Sequence, residues 1–364
     1  MSGRVDIFEV LRVTRRSASD MRKVFLAFYG LLLFVPAALL VLACGRAVLS
    51  GEFGAEIVST FLRPLQGTFG FFGDAFAEGA WALMGGVLLG IWLAAMMIGS
   101  FFGLAITRMA AVEITSERRA DVKEALRFAR GHWHWGLLTP TGLVFGAIGL
   151  LALASLVMML GRVSDYFVIV AAPAALVLVV AAAALLAGLL AGGILAWPAI
   201  STEWSDAFDA VTRVYGYSFA HAYRLLMYRT GALLAFCGVV ASRGLRVLLV
   251  LSGFYVVLRV GLGPDKTQVL LDTVLLEPPQ GLPLPETLAG WTLLSCAAIY
   301  FTLLVARLLV FRLVLHQSIY LLLRLRVDKV PLDNIDGYRP DDSDFDPTAQ
   351  GFELVEVEEE LSAE

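Results

Sequence analysis

"FVIVAAPAALVLVVAAAALLAGLLAGGILAW", residues 167–197, runs for 31 positions without one charged side chain. About 20 such residues suffice to cross the roughly 30 Å of a bilayer's hydrocarbon. Within lipid a single segment satisfies its own backbone hydrogen bonds only as a helix. Working outward, comparable apolar runs lie at 24–43, 81–106, 136–160, 230–258 and 289–311, in a chain of 364 residues that is 59% hydrophobic and 16% charged. The expected fold is therefore all-α: a polytopic membrane protein of six transmembrane helices. The first run is too long for the apolar core of a secretory leader and is followed by further spans, so a cleaved signal is not expected. Composition gives no reason to expect a nucleic-acid partner.

Charge sets the orientation. Arg4, Arg12, Arg15, Arg16, Arg22 and Lys23 precede the first run. Arg108, Arg118, Arg119, Lys123, Arg127 and Arg130 separate the second from the third, and Arg213, Arg224 and Arg229 the fourth from the fifth. The alternate connections hold Arg46 and Arg63, then Arg162, then Arg259 and Lys266. Basic residues favour the cytoplasmic side, which places both termini there and points to a bacterial inner membrane. Trp81 and Trp291 then mark the outer boundary, and Trp133, Trp135, Trp197 and Trp204 the inner one. Trp92 lies mid-span as a packing residue. Residues 1–23 form an amphipathic lead, 24–326 the membrane domain, and 327–364 a tail with thirteen acids against Lys329 and Arg339. That tail carries −11, leaving +7 on the remainder of a chain whose formal charge is −4. Few apolar residues and like charges predict disorder in the tail, which either binds a basic protein partner or simply stays solvated.

Three short stretches recur: DIFEVLR at 6–12, DVKEALR at 121–127 and DAFDAVT at 206–212. Each precedes an odd-numbered span. Ile7, Val10 and Leu11 share a helical face, as do Val122, Ala125 and Leu126, and Ala207, Ala210 and Val211. Asp6, Glu9, Asp121, Glu124, Asp206 and Asp209 occupy the opposite faces, in first turns where acids suit the helix dipole. The pattern implies cytoplasmic juxtamembrane helices, arranged either as three helix-plus-hairpin repeats or as three helices that acquired the same composition independently. The hydroxyls of Thr115-Ser116-Glu117 and Ser201-Thr202-Glu203 are placed to cap the helices that follow. Gly86/Gly90, Gly142/Gly146 and Gly188/Gly192 are small-residue pairs that allow close helix approach, within the bundle or in a homo-oligomer.

With the stretch SDAFDAVTRVYGYSFAHAYRLLMYRTG, 205–231, between two spans, the chain resembles a diffuse group of uncharacterised bacterial multi-pass inner-membrane proteins. Their layout is similar to the membrane region of some glycerophosphodiester phosphodiesterases. The resemblance implies the helical layout and no chemistry.

Catalytic patterns are missing: there is no GxxxxGK[ST], HExxH, GxSxG or GxGxxG motif. His132 and His134, two apart, fall on different faces of a helix and do not share a metal. His221 and His316 read as juxtamembrane polar residues, and Cys44, Cys237 and Cys296 as isolated thiols. Asp342, Asp344, Asp346 and Glu353 match EF-hand spacing, but Pro347 stands where that loop turns on glycine. No enzyme, cofactor or metal is expected.

The remaining anomaly is "GVVASRGLRVLLVL", 238–251. Counted from Thr230, Arg243 falls roughly 20 Å along the fifth span, in its outer half. Arg246 follows a turn later. No span contains Asp or Glu. Three arrangements fit: snorkelling to headgroups, a polar cavity, or a break at 242–244. Arg243 and Arg246 are thus candidate contacts for anions or lipid headgroups. The reading is a membrane-organising or scaffolding protein that engages lipids, with a transporter or lipid/anion permease as the alternative.

Overall fold

Apolar runs uninterrupted by Asp or Glu become helices that outlast the membrane. In the computed structural model, which describes residues 14–51, 64–77, 79–116, 119–159, 165–268 and 284–330, no strand occurs among those residues. The helices are α1 (Met21–Ser50), α2 (Pro64–Ala77), α3 (Trp81–Ser116), α4 (Val122–Met159), α5 (Asp165–Gly192), α6 (Ala196–Glu203), α7 (Ala207–Ala220), α8 (Ala222–Leu262) and α9 (Leu284–Leu323). A 3₁₀ turn, Gly193–Leu195, joins α5 to α6, and a π turn, Arg324–Asp328, follows α9. Among the described residues six helices are long and apolar enough to span: α1, α3, α4, α5, α8 and α9. The protein is an all-α polytopic membrane protein.

Three expectations need correction. The run 167–197 is not one helix: α5 ends at Gly192 and α6 begins at Ala196. The break fits the packing of α7 against α5. A Cβ on Gly188 would sit 2.1 Å from the Tyr215 ring, and one on Gly192 2.3 Å from Val214 Cγ1. The second amphipathic stretch is not a separate element either, since 122–159 is one continuous helix. Nor do the hydroxyls cap. Thr115 and Ser116 donate to Ala111 O and Val112 O of their own helix, as Thr202 does to Pro198 O. The caps are Asp121, which accepts from Lys123 N at 3.2 Å, and Asp206, which accepts from Asp209 N at 2.8 Å. A carboxylate outcompetes a hydroxyl for orphan amides because it is charged. Asp6, Glu9 and the acidic tail from 331 onward lie outside the described residues.

Pro140 lies inside α4 and lacks the N–H that would bond the carbonyl four residues back. That carbonyl belongs to Gly136, and Trp197 Nε1 donates to it at 3.0 Å. The Trp197 ring lies over Gly103, where a Cβ would be 2.6 Å from it. Trp197 is therefore a rivet between α3, α4 and α6 more than an interfacial anchor. The main core gathers where α1 begins, α3 ends and α4 begins, hereafter the polar end. It comprises Val24 and Ala27 of α1, Leu104 to Ala110 of α3, Phe128 of α4, Leu195 to Ile200, and Val310 to Leu323 of α9. Away from it α4, α5 and α8 expose Leu156, Ile169, Val177 and Leu248 as lipid-facing helices do. A small second cluster joins α2 to α1 and α3 through Phe71, Leu42 and Val87. Sequence reading had assigned α2 to a connection.

Candidate functional site

Two polar regions stand out, and they differ in how their charges are balanced. The first lies in the core of the polar end and is built on acids. Glu113, near the end of α3, accepts from Lys23 Nζ at 2.5 Å and Ser17 Oγ at 2.8 Å, and pairs with Arg22 at 3.4 Å. The Lys23 side chain is fully buried and also donates to Ser17 O at 3.1 Å and to Ser17 Oγ. Glu203, closing α6, pairs with Arg213 and with Arg324 Nε at 3.2 Å, and accepts from Tyr320 Oη at 2.6 Å. Burial tends to discharge Arg213, but the Glu203 carboxylate, with Asp209, overrides it and holds the guanidinium above its usual range. Tyr217 donates to Asp328, and burial together with that carboxylate raises its hydroxyl far above the ordinary tyrosine value.

Neutral partners extend the network. Gln317 of α9 donates to Thr202 Oγ1 at 2.7 Å and accepts from Ser201 Oγ at 3.1 Å. Arg108, buried in α3, donates to Ser201 O at 3.0 Å and lies over the rings of Phe128 and Trp204, 5.3 and 5.2 Å from their centroids. Trp204 reaches that position from a left-handed backbone, φ 56°, which ends α6. His132 stacks on Phe128 at 4.4 Å, whereas His134 is exposed beside Trp133 and Trp135. Lys23, Glu113, Arg213 and Glu203 are all satisfied by one another, so this region is structural. Among the described residues no three potential ligands gather around a metal position.

The second region runs along α8 and α9 and is basic. Arg229 Nη1 donates to Leu190 O at 2.9 Å, a carbonyl left without a helical donor by the end of α5. Its charge, with that of Arg312, acts on His316. Further along, Phe236 and Phe311 stack at 6.4 Å. Beyond them lies half-buried Arg243. Ala222–Leu262 contains five arginines and no acid. None of the apolar stretch of α8 is buried, so this helix meets lipid on most sides.

Arg307 of α9 approaches the start of α1, its Nη2 lying 3.3 Å from Met21 Sδ, a contact that sequence reasoning had left unconnected. At 41 residues α8 spans about 60 Å, twice the hydrocarbon, so length alone does not fix its register. Among the repeat residues, Asp121 and Asp206 are caps, Asp209 pairs with Arg213 at 3.2 Å, and Glu124 is half-buried in the first turn of α4. Among the described residues none of these four acids pairs with an arginine of α8 or α9, and no sequence signal marks Arg307 as a neighbour of α1. No family model matches the chain, nor does any curated protein or solved structure.

Proposed function

We propose that this integral membrane protein organises lipid: it holds anionic headgroups along the basic seam of α8 and α9 and presents its acidic tail to a protein partner. The observation that carries the reading is that seam, where Arg229, Arg243, Arg246, Arg307, Arg312 and His316 line two helices otherwise clothed in exposed apolar side chains. A cation at a lipid-facing boundary is favourable where the surrounding surface is anionic, by about 1 kcal/mol per basic side chain. The excess of basic residues on alternate connections supports a bacterial inner membrane with both termini cytoplasmic.

Lipid extracted from protein purified in mild detergent tests the reading. Enrichment of anionic over zwitterionic phospholipid relative to the source membrane is expected. An extract that mirrors the bulk membrane would refute it. The half-buried setting of Arg243 favours permease activity as the second reading, and arginine-dependent flux of an anion across reconstituted vesicles is its signature.

A further inference from the structure

Helix α7 has three faces where sequence periodicity gave it two. Placed at about 100° per residue, Ala207, Ala210, Val214, Tyr217 and Ser218 share one arc, and all five are buried against the bundle. Asp209, Arg213, Gly216 and Ala220 share a second arc, on which Asp209 pairs with Arg213 at 3.2 Å and Arg213 with Glu203. Phe208, Thr212 and Phe219 share the third. Phe208 is 77% and Phe219 60% exposed. The Thr212 hydroxyl donates to Asp209 O at 2.8 Å, so it brings no unpaired donor to the two bare rings. A helix that lies between a bundle and water needs one apolar face only. The second apolar face of α7 has no protein against it among the described residues.

The position of α7 says what covers that face. Tyr215 Oη donates to Leu185 O at 2.6 Å, and Leu185 belongs to Phe167–Leu190, the apolar span of α5. From Leu185 to the end of α5 at Gly192 is about 10 Å of helix. A Cβ on Gly192 would meet Val214 Cγ1 at 2.3 Å and Ser218 Oγ at 2.5 Å. Helix α7 therefore lies along the last two turns of a spanning helix, which matches the 5–10 Å or so that an in-plane amphipathic helix sinks into a leaflet. Leu190, between the two glycines that α7 touches, is exposed, as are Tyr223 and Leu226 where α8 continues from α7. The aromatic face is thus continuous with the lipid-facing surface of two spans. We propose that α7 lies in the plane of one membrane leaflet, with Phe208 and Phe219 set among the acyl chains at the headgroup boundary and Asp209 and Arg213 turned to headgroups and water. This needs α5 to span the bilayer and is independent of the basic seam of α8 and α9.

The test uses the full chain with Cys44, Cys237 and Cys296 replaced by alanine, reconstituted into vesicles of phosphatidylethanolamine and phosphatidylglycerol. Single cysteines at F208C, F219C, G216C and A220C carry a nitroxide. Gly216 has open space around a Cβ and Ala220 is exposed, so both tolerate the label. Power-saturation spectra compare collision with oxygen, which concentrates in lipid, against collision with a water-soluble nickel chelate. The oxygen-to-chelate ratio is expected to exceed one at 208 and 219 and to fall below one at 216 and 220. Helical circular dichroism checks each variant, and Y223C takes the place of either phenylalanine variant that does not fold. Chelate-dominated collision at all positions would place α7 in water and overturn the proposal. Shielding of 208 and 219 from both reagents would overturn it in favour of a protein contact, and spectral broadening relieved by unlabelled chain would identify that contact as a second copy. Neither outcome touches the basic seam, whose lipid preference is read separately from the extracted lipid.

Discussion

Replacing Trp197 with phenylalanine probes the joint between α3, α4 and α6. The substitution removes the Nε1 donor that reaches Gly136 O at 3.0 Å, and Pro140 denies that carbonyl its usual helical partner. A carbonyl left unsatisfied away from water costs about 1–3 kcal/mol. The smaller ring also gives up part of its contact over Gly99 and Gly103, so the total for W197F is about 2–4 kcal/mol. The two contributions separate in a double-mutant cycle. P140A restores an N–H at position 140, and that N–H bonds Gly136 O whether or not the indole is present. In the P140A background W197F should therefore cost less, by a coupling of about 1–2 kcal/mol. Equilibrium unfolding in mixed micelles of increasing SDS fraction, followed by tryptophan fluorescence and helical ellipticity, measures all four corners. Additive effects within about 0.5 kcal/mol would show that the indole contributes bulk alone and would refute the hydrogen-bond argument.

Other outcomes follow from the same geometry. E113Q leaves the Lys23 ammonium buried without its counter-charge and should destabilise by about 3 kcal/mol, whereas K23M with E113L should cost much less; SDS titration compares them. G188A brings a Cβ to 2.1 Å from the Tyr215 ring and should destabilise by about 1–3 kcal/mol, whereas G149A, with nothing within 4 Å, should be neutral or slightly stabilising. Burial pushes the Asp20 carboxyl up, but hydrogen bonds and charge from Arg22, aided by Lys23, outweigh it and hold the group below its ordinary 3.8. Its contribution is thus present above 3.8 and fades as pH falls through the lower folded value. D20N should accordingly destabilise at neutral pH and by progressively less as the pH is lowered below 3.8. Deleting 337–364 should abolish capture of the protein partner in affinity purification, and recovery of the same proteins without the tail would remove its assigned role.

Six spans were legible because the cost of burying charge writes itself into every apolar run, and α1, α3 and α4 needed only longer ends. The break after Gly192 was not legible, because Gly188 and Gly192 act through Tyr215 and Val214, whose approach depends on tertiary packing. Sequence periodicity did place Asp121 and Asp206 at helix starts, where they cap. It missed Asp20, which caps α1 at 3.0 Å through Arg22 N, because no amphipathic stretch follows it. Arg243 and Arg246 were conspicuous as charges in an apolar run, but Arg15 and Arg307 were not. Arg15 looked like one more member of a basic lead, and Arg307 like a residue at a span's end. The contacts Thr14–Ser318 and Arg307–Met21, which fix the segments that carry them, depend on tertiary packing.

The balance of charge at the polar end leaves Glu113, Glu203 and Asp328 without capacity for the basic seam. Glu113 is committed to Lys23 and Arg22, Glu203 to Arg213, Arg324 and Tyr320, and Asp328 to Tyr217. Freeing any of them for the seam would strand a buried cation or hydroxyl, at about 3–5 kcal/mol for a broken buried pair. That exceeds what an exposed ion pair returns, about 0.2–1 kcal/mol. These acids therefore stay where they are, and on the proposed lipid-engaging reading the arginines of α8 and α9 take their counter-charge from headgroup phosphate, the anion whose oxygens match a guanidinium fork.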